Sequence, residues 1–461
     1  MNYSQAVAWL LGMTNFERPV APSEPTDSET SNAPIATRRW NLDRVHELLR
    51  RLDNPHIGPV TLHVAGTKGK GSTCALLAAA LTNSGYRTGL FTSPHLHTIR
   101  ERIAVNGYPC SEQDFVDAAS VVKPAVEAVN ADASFGTITT FEALTAMAFV
   151  AFRAQNVEMQ VIEVGLGGRL DSTNVVEPAV TGITSISLDH EAFLGSTIRE
   201  IATEKAGIIK SGIPVVSAPQ ESDAADVIIS RSDELAAPLT LLRRDVFWRP
   251  EMATLSGQDF AMWGQIGDRP IEHQLRTSLL GEHQLENASL AMAMLEHLRD
   301  LHYPVPYDDI YTGFSGVTWP GRMEILSESP LIVADGAHNP YSATRLAETI
   351  RETFPGREVQ LVLGAASDKD VSGIAREIGA VATGAFATTS RSPRSMSPDD
   401  IADTLWEAGV PVRPENTVAA AIERAKLEGG PSALILVTGS LFVVAEAREH
   451  VLGVTPDESA Y

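Results

Sequence analysis

Apolar residues recur along most of this chain in two alternating patterns. Short runs at Thr61 to Ala65, Thr88 to Thr92, Val161 to Gly165, Val180 to Ser187 and Ile213 to Ser217 read as strands buried on both faces. Between several of them lie stretches with helical spacing, and that order predicts a largely parallel sheet covered by helices. Helices are also expected at Tyr3 to Leu11 and at Leu42 to Leu52. Ser111 with Asp114, and Thr139 with Glu142, have the spacing of N-terminal capping boxes. The stretch 239–279 breaks the pattern with Gly, Pro, Trp and short alternating runs, which suggests a small β-rich subdomain. A helix from Gln284 to Asp300 follows. Beyond it, Leu331 to Ala334, Val359 to Leu363, Ala385 to Thr389 and Ala433 to Val437 alternate with helices again. The expected fold is therefore α/β with two domains, 1–317 and 323–461, joined at 318–322.

Size agrees, because 461 residues are too many for one ordinary core. Residues 18–37 carry four prolines among Ser, Thr, Glu and Asp, a composition expected of a mobile loop. The formal net charge of −22 argues against nucleic acid or an anionic membrane as partner. A polyphosphate ligand would then need local donors and metal ions. There is no long apolar run, and Met1 to Met13 lacks a basic leader and a cleavage site, so the expected location is cytoplasmic. Cys74 and Cys110, the only cysteines, are expected to be reduced.

The segment Gly66-Thr67-Lys68-Gly69-Lys70-Gly71-Ser72-Thr73 follows a strand and precedes the helical run Cys74 to Leu81. Glycines let backbone N–H groups turn inward around an anion, the helix N-terminus adds partial positive charge, and Lys70 can reach β and γ phosphates. The loop departs from G-x-x-x-x-G-K-[ST]: Val64 stands at the first glycine and Gly71 at the metal-binding hydroxyl. The first domain is accordingly expected to be P-loop ATPase-like. The second is Rossmann-like in layout but has no G-x-G-x-x-G after a strand, so no dinucleotide site is indicated.

Further segments follow in order: Thr92-Ser93-Pro94-His95-Leu96, Glu101-Arg102-Ile103, Glu163 to Asn174, Asp189-His190, Glu204 to Ile208, Gly321-Arg322-Met323-Glu324 and Asp335-Gly336-Ala337-His338-Asn339-Pro340. With the loop, they closely resemble the folylpolyglutamate and dihydrofolate synthases of the Mur ligase superfamily. Ser93, Glu163 and His190 each fall at or just after a predicted strand end, where ligands of parallel sheets bind. The resemblance makes them magnesium ligands. On the residues alone, Ser93 could cap a turn, Glu163 could pair with an arginine, and His190 could be a satisfied polar residue.

The resemblance also implies that Lys205 is carbamylated, which requires a neutral amine and hence burial. It assigns Asn287, Arg322 and Asp335 to ATP alongside Gly66, Thr67, Lys68, Gly69, Lys70, Gly71 and Ser72. Lys70, Lys205, Arg322 and His338 are the implied catalytic set. Thr139, Thr140, Phe141 and Glu142, with Leu170, Asp171 and Ser172, match segments that contact the pterin-bearing substrate, although Thr139 and Glu142 are equally explained as a cap. The implied reaction joins L-glutamate to a folate or dihydropteroate carboxylate, with ATP as co-substrate, Mg2+ as cofactor and the enzyme a monomer. A Mur-type ligase of peptidoglycan precursors and a regulatory nucleotide-binding ATPase are the alternatives.

Overall fold

The computed structural model describes residues 1–15, 41–132 and 134–457. The expected loop at 18–37 lies outside them. Eight strands form the first sheet in the order β4-β3-β2-β5-β1-β6-β7-β8. They are β1 Val60–Ala65, β2 Thr88–Phe91, β3 Ile103–Val105, β4 Tyr108–Pro109, β5 Met159–Glu163, β6 Val180–Ile183, β7 Val215–Ser217 and β8 Leu239–Leu241. Only β3 and β4 run antiparallel to their neighbours. Alternation along each strand divides the cores. Leu62, Val64, Met159 and Val161 pack with helices Lys70–Asn83 and Glu282–Asp300, while Phe91 and Ile162 pack with Tyr3–Leu11, Glu112–Asn130 and Thr140–Ala154.

The β-rich stretch begins later than its composition suggests. β8 completes the first sheet, and the separate antiparallel sheet is β9 Val246–Thr254, β10 Gly257–Ile266 and β11 Arg269–Thr277. Its Trp248, Phe260, Met262, Ile271 and Leu275 enter the first domain's core, so it is fused to that domain. The second domain is a six-stranded sheet of order β12-β13-β17-β14-β15-β16, with only β12 antiparallel. These strands are β12 Glu324–Glu328, β13 Leu331–Ala334, β14 Val359–Leu363, β15 Gly384–Ala387, β16 Val412–Pro414 and β17 Leu434–Thr438.

Two expected boundaries move for physical reasons. β6 stops at Ile183 rather than Ser187, because the Ser185 carbonyl turns to accept the N–H groups of Thr67 (2.9 Å) and Lys68 (3.4 Å). The sequence also predicts a helix from Ile198 to Lys210, but it ends at Ala206, where N–H groups of residues 207–209 bond three residues back and tighten the last turn. Both capping boxes form as expected. No helix among the described residues is long and apolar enough to cross a membrane.

Helix Tyr307–Gly316 lies directly against helix Lys70–Asn83, and a Cβ on Gly313 would stand 2.7 Å from the Ala80 backbone nitrogen. Backbone cannot yield as a side chain does. Gly313→Ala is therefore expected to lose about 1–3 kcal/mol in urea unfolding despite alanine's better helix propensity. An unchanged midpoint would contradict this close approach.

Candidate active site

The phosphate-loop segment connects β1 to helix Lys70–Asn83 at the carboxyl edge of the first sheet. Gly66 (φ +146°) and Gly69 (φ +90°) take conformations that L side chains rarely adopt, and neighbours close on them from both sides. A Cβ on Gly66 would meet Thr184 Oγ1 at 1.7 Å, and one on Gly69 would meet Asn287 Oδ1 at 2.2 Å. Thr67 Oγ1 bridges to Ser187, donating to its carbonyl (3.2 Å) and accepting its N–H (3.1 Å). The N–H groups of Lys70, Gly71 and Ser72 open the helix and have no carbonyl one turn earlier. The Trp319 indole covers Gly71, 2.9 Å from where its Cβ would be.

Three lysines converge here. Lys70 Nζ donates to Gly66 O (3.2 Å) and lies 4.0 Å from Glu163 Oε1. Lys205 Nζ donates to the same carbonyl at 2.8 Å and is buried. Burial, then the neighbouring Lys70 charge, pulls the Lys205 amine down to about 7. Lys68 Nζ donates to Asp189 Oδ2 (2.9 Å) and to His338 Nε2 (3.3 Å). Burial opposes ionisation of Asp189, but Lys68 outweighs it and holds that carboxyl below its usual range.

Glu163 ends β5, and its Oε2 accepts the Ser93 N–H at 3.0 Å. Burial raises this carboxyl against the opposing charge of Lys70. Ser93 follows β2 by two residues. His190 departs from expectation. With β6 ending early, it sits seven residues past the strand, in a left-handed conformation (φ +52°) before helix Glu191–Leu194. Its side chain is 52 % exposed. No three His, Cys, Asp or Glu side chains cluster as metal ligands among the described residues. A buried carboxylate beside a serine still fits a hard cation that keeps waters in its other positions.

On the second domain's side, His338 Nδ1 faces Gly336 O at 2.8 Å, and a carbonyl only accepts, so Nδ1 carries the proton and Nε2 offers its lone pair to Lys68. Burial, then Lys68, lowers this imidazole to about 3. Asp335 accepts the N–H groups of Met323 and Ala337, both at 2.9 Å, and thereby shapes the turn presenting Arg322. The Arg322 guanidinium has no hydrogen bond or ion pair among the described residues. Asn287 Nδ2 donates to Gln284 Oε1 (2.9 Å) and keeps its oxygen against the phosphate loop.

The expected substrate residues are tied into the scaffold. Glu142 accepts the Thr139 N–H (2.8 Å) and a two-point bond from buried Arg44 (2.7 and 2.9 Å). Thr140 Oγ1 donates to Leu10 O at 3.1 Å. Asp171 accepts from the N–H groups of Leu166 (2.8 Å) and Thr173 (3.0 Å), and Ser172 pairs with Thr145 (2.8 Å). Phe141 packs where a Gly165 Cβ would be, and Leu170 is partly buried.

The sequence matches the Mur ligase middle domain over residues 64–295 and the Mur ligase glutamate ligase domain over 321–441. A dihydrofolate synthase/folylpolyglutamate synthase of Bacillus subtilis is 36 % identical over 414 residues, 89 % of this chain and 94 % of that protein. The chain belongs to the folylpolyglutamate synthase/dihydrofolate synthase family. Mycobacterium tuberculosis folylpolyglutamate synthase, solved with ADP and AMPPCP, superposes with a TM-score of 0.83 at 32 % identity, covering 92 % of this chain and 98 % of that one. An FPGS–AMPPCP–folate complex gives 0.80 at 30 % identity, covering 98 % of this chain and 100 % of the other.

Within this family member, several residues at the site escape sequence reasoning. Trp319 falls in the segment read as a linker, and Arg44 carries no signal of its own in the sequence. Lys369 lies near His190 and His338, lowering both imidazoles, and has no carboxylate partner among the described residues. Asp189 alone carried a signal, its place beside His190.

Arg44→Met would strand the buried Glu142 carboxylate, and an expected loss of about 3–5 kcal/mol at pH about 8 follows. Burial already raises the folded pKa of Glu142 despite Arg44. Such a group contributes most below its unfolded pKa and loses that contribution as pH rises, so the deficit should shrink at pH about 5. Chemical denaturation at the two pH values checks this.

Proposed function

We propose that this chain uses ATP to phosphorylate the carboxylate of a folate-type acid and then joins L-glutamate to it, releasing ADP and phosphate. The observation that carries this reading is a phosphate loop with Lys70 and Glu163 on one side of a cleft whose other side offers Arg322 and His338. The known structures support it: related FPGS proteins have been solved with AMPPCP and with folate. The cleft opens around 318–322, which we take as the boundary between domains 1–317 and 323–461.

A carboxylate resists attack because charge and resonance protect its carbon. Its oxygen attacks the γ-phosphorus, the bond to the β-bridging oxygen breaks, and ADP leaves with an acyl phosphate behind. The glutamate nitrogen then attacks the acyl carbon, the carbon–oxygen bond to phosphate breaks, and the nitrogen gives up a proton. Lys70 and the helix N-terminus spread charge on the transferring group in the first step, and Arg322 stabilises the oxyanion and departing phosphate in the second. Glutamate brings two carboxylates, which Arg322 and Lys369 can meet. Asn287 and Asp335 flank the nucleotide, with Thr139 to Glu142 and Leu170 to Ser172 toward the pterin.

Ser93, Glu163 and His190 would hold magnesium, which supplies charge neutralisation between the phosphates. The lowered amine of Lys205 suits reaction with carbon dioxide, since a neutral fraction exists near pH 7. The carbamate would turn a cation crowding Lys70 into an anion. Protein equilibrated with carbon-13 bicarbonate should show one carbamate resonance that disappears in Lys205→Arg; its absence from the active protein would remove this assignment.

The function is tested by incubating the protein with ATP, magnesium, glutamate and either dihydropteroate or tetrahydrofolate. ADP and a glutamylated product are expected, and Lys70→Ala should melt normally yet make neither. AMP would refute the acyl-phosphate route, and ADP without an amide would favour a regulatory ATPase.

A further inference from the structure

Residues 453–457 follow Leu441–Leu452, the last described helix of the second domain, and cross to the first. Asp457 Oδ2 accepts from the Tyr3 hydroxyl and from Thr98 Oγ1 (3.2 Å), and the Asp457 N–H donates to His97 O (2.9 Å). The second domain also approaches this stretch at His97, whose Nδ1 lies 3.5 Å from Glu449 Oε1. Arg391 holds Glu449 through both oxygens at 2.6 Å.

The stretch behaves as one piece. Glu101 accepts the N–H groups of Leu96 (2.7 Å), His97 (2.9 Å) and Thr98 (3.1 Å), and Arg102 Nε donates to His95 Nδ1 (2.9 Å). At its other end the Ser93 N–H binds Glu163, which stands 4.0 Å from Lys70 Nζ. An unbroken series of bonds and short contacts therefore runs from Asp457 through residues 93–101 to the phosphate loop. Tyr3 adds the first helix to the junction: its ring packs edge-on against Phe115 and lies under the Arg100 guanidinium.

We propose that Asp457 is a positioning residue for the ligase reaction. With the two domains together, it fixes the 96–101 turn and through it sets Ser93 and Glu163 against Lys70; when the domains part, the turn loses its outer anchor. This rests on the reading of Ser93 and Glu163 given under Proposed function. A contact serving only stability would shift the melting temperature and leave the turn and the catalytic constants alone.

The test uses the full chain as Asp457→Ala, Asp457→Asn and Tyr3→Phe. Asp457→Ala should speed amide exchange at Leu96, His97 and Thr98 and lower kcat about tenfold while KM for ATP stays within about twofold. Asp457→Asn keeps an acceptor oxygen and should recover most of the rate, and Tyr3→Phe, which leaves the Thr98 bond, should lie between. Wild-type exchange at residues 96–98, or wild-type kcat, in Asp457→Ala would overturn the inference. If Lys70→Ala is inactive in the same assay, the reading of the site survives that result; an active Lys70→Ala would overturn the reading itself.

Discussion

The whole site depends on bare backbone at one place, the turn from Gly66 to Gly69. Thr184 and Asn287 approach it from two sides at distances that a single Cβ would violate. The close fit frees the helix-opening N–H groups to face an anion, and it also fixes where everything else must stand. β6 ends early to supply the Ser185 carbonyl, Lys70 and Lys205 meet at the Gly66 carbonyl, and Asn287 gives up its oxygen to the loop. A side chain at Gly66 would displace Thr184, and one at Gly69 would displace Asn287.

Electrostatics make this arrangement selective. The chain carries a formal charge of −22, yet Lys68, Lys70, Lys205, Arg322 and Lys369 gather where the two domains meet. Packed together without counterions they would repel, and the structure relieves that strain in different ways. Lys68 pairs with Asp189, Lys70 leans toward a buried glutamate, and Lys205 sheds proton affinity through burial. Arg322 faces the buried Asp335 and Glu163 carboxylates without a direct ion pair among the described residues, and Lys369 has none there either. A polyanionic ligand completes the balance, and a neutral one would leave it open.

Much of this was legible in the sequence because it is local. Strand–loop–helix order located the glycine-rich turn between β1 and helix Lys70–Asn83, and capping spacing located the starts of helices Glu112–Asn130 and Thr140–Ala154. What could not be read is whatever depends on two distant segments meeting. His190 was misplaced because nothing near Ser185 reveals that its carbonyl serves a loop over a hundred residues earlier. Thr139, Glu142 and Asp171 were legible as polar residues in the right segments, but the sequence does not say that Arg44 and the backbone of residues 166–173 use their oxygens. Trp319 illustrates the same limit, since a tryptophan between a threonine and a proline reads as a linker until Gly71 is seen beneath it.

The meeting of Tyr3 with Asp457 has a meaning for how the molecule assembles. These residues are 454 apart in sequence, so their contact closes nearly the longest loop the described chain can form. Closure entropy grows only logarithmically with length, so the penalty is modest once both partners are in place. Each partner is held by its own domain, Tyr3 against Phe115 in the first and Asp457 just beyond helix Leu441–Leu452 of the second. Formation of this one hydrogen bond therefore marks the completed molecule: a chain that has folded one domain and left the other unfinished cannot make it.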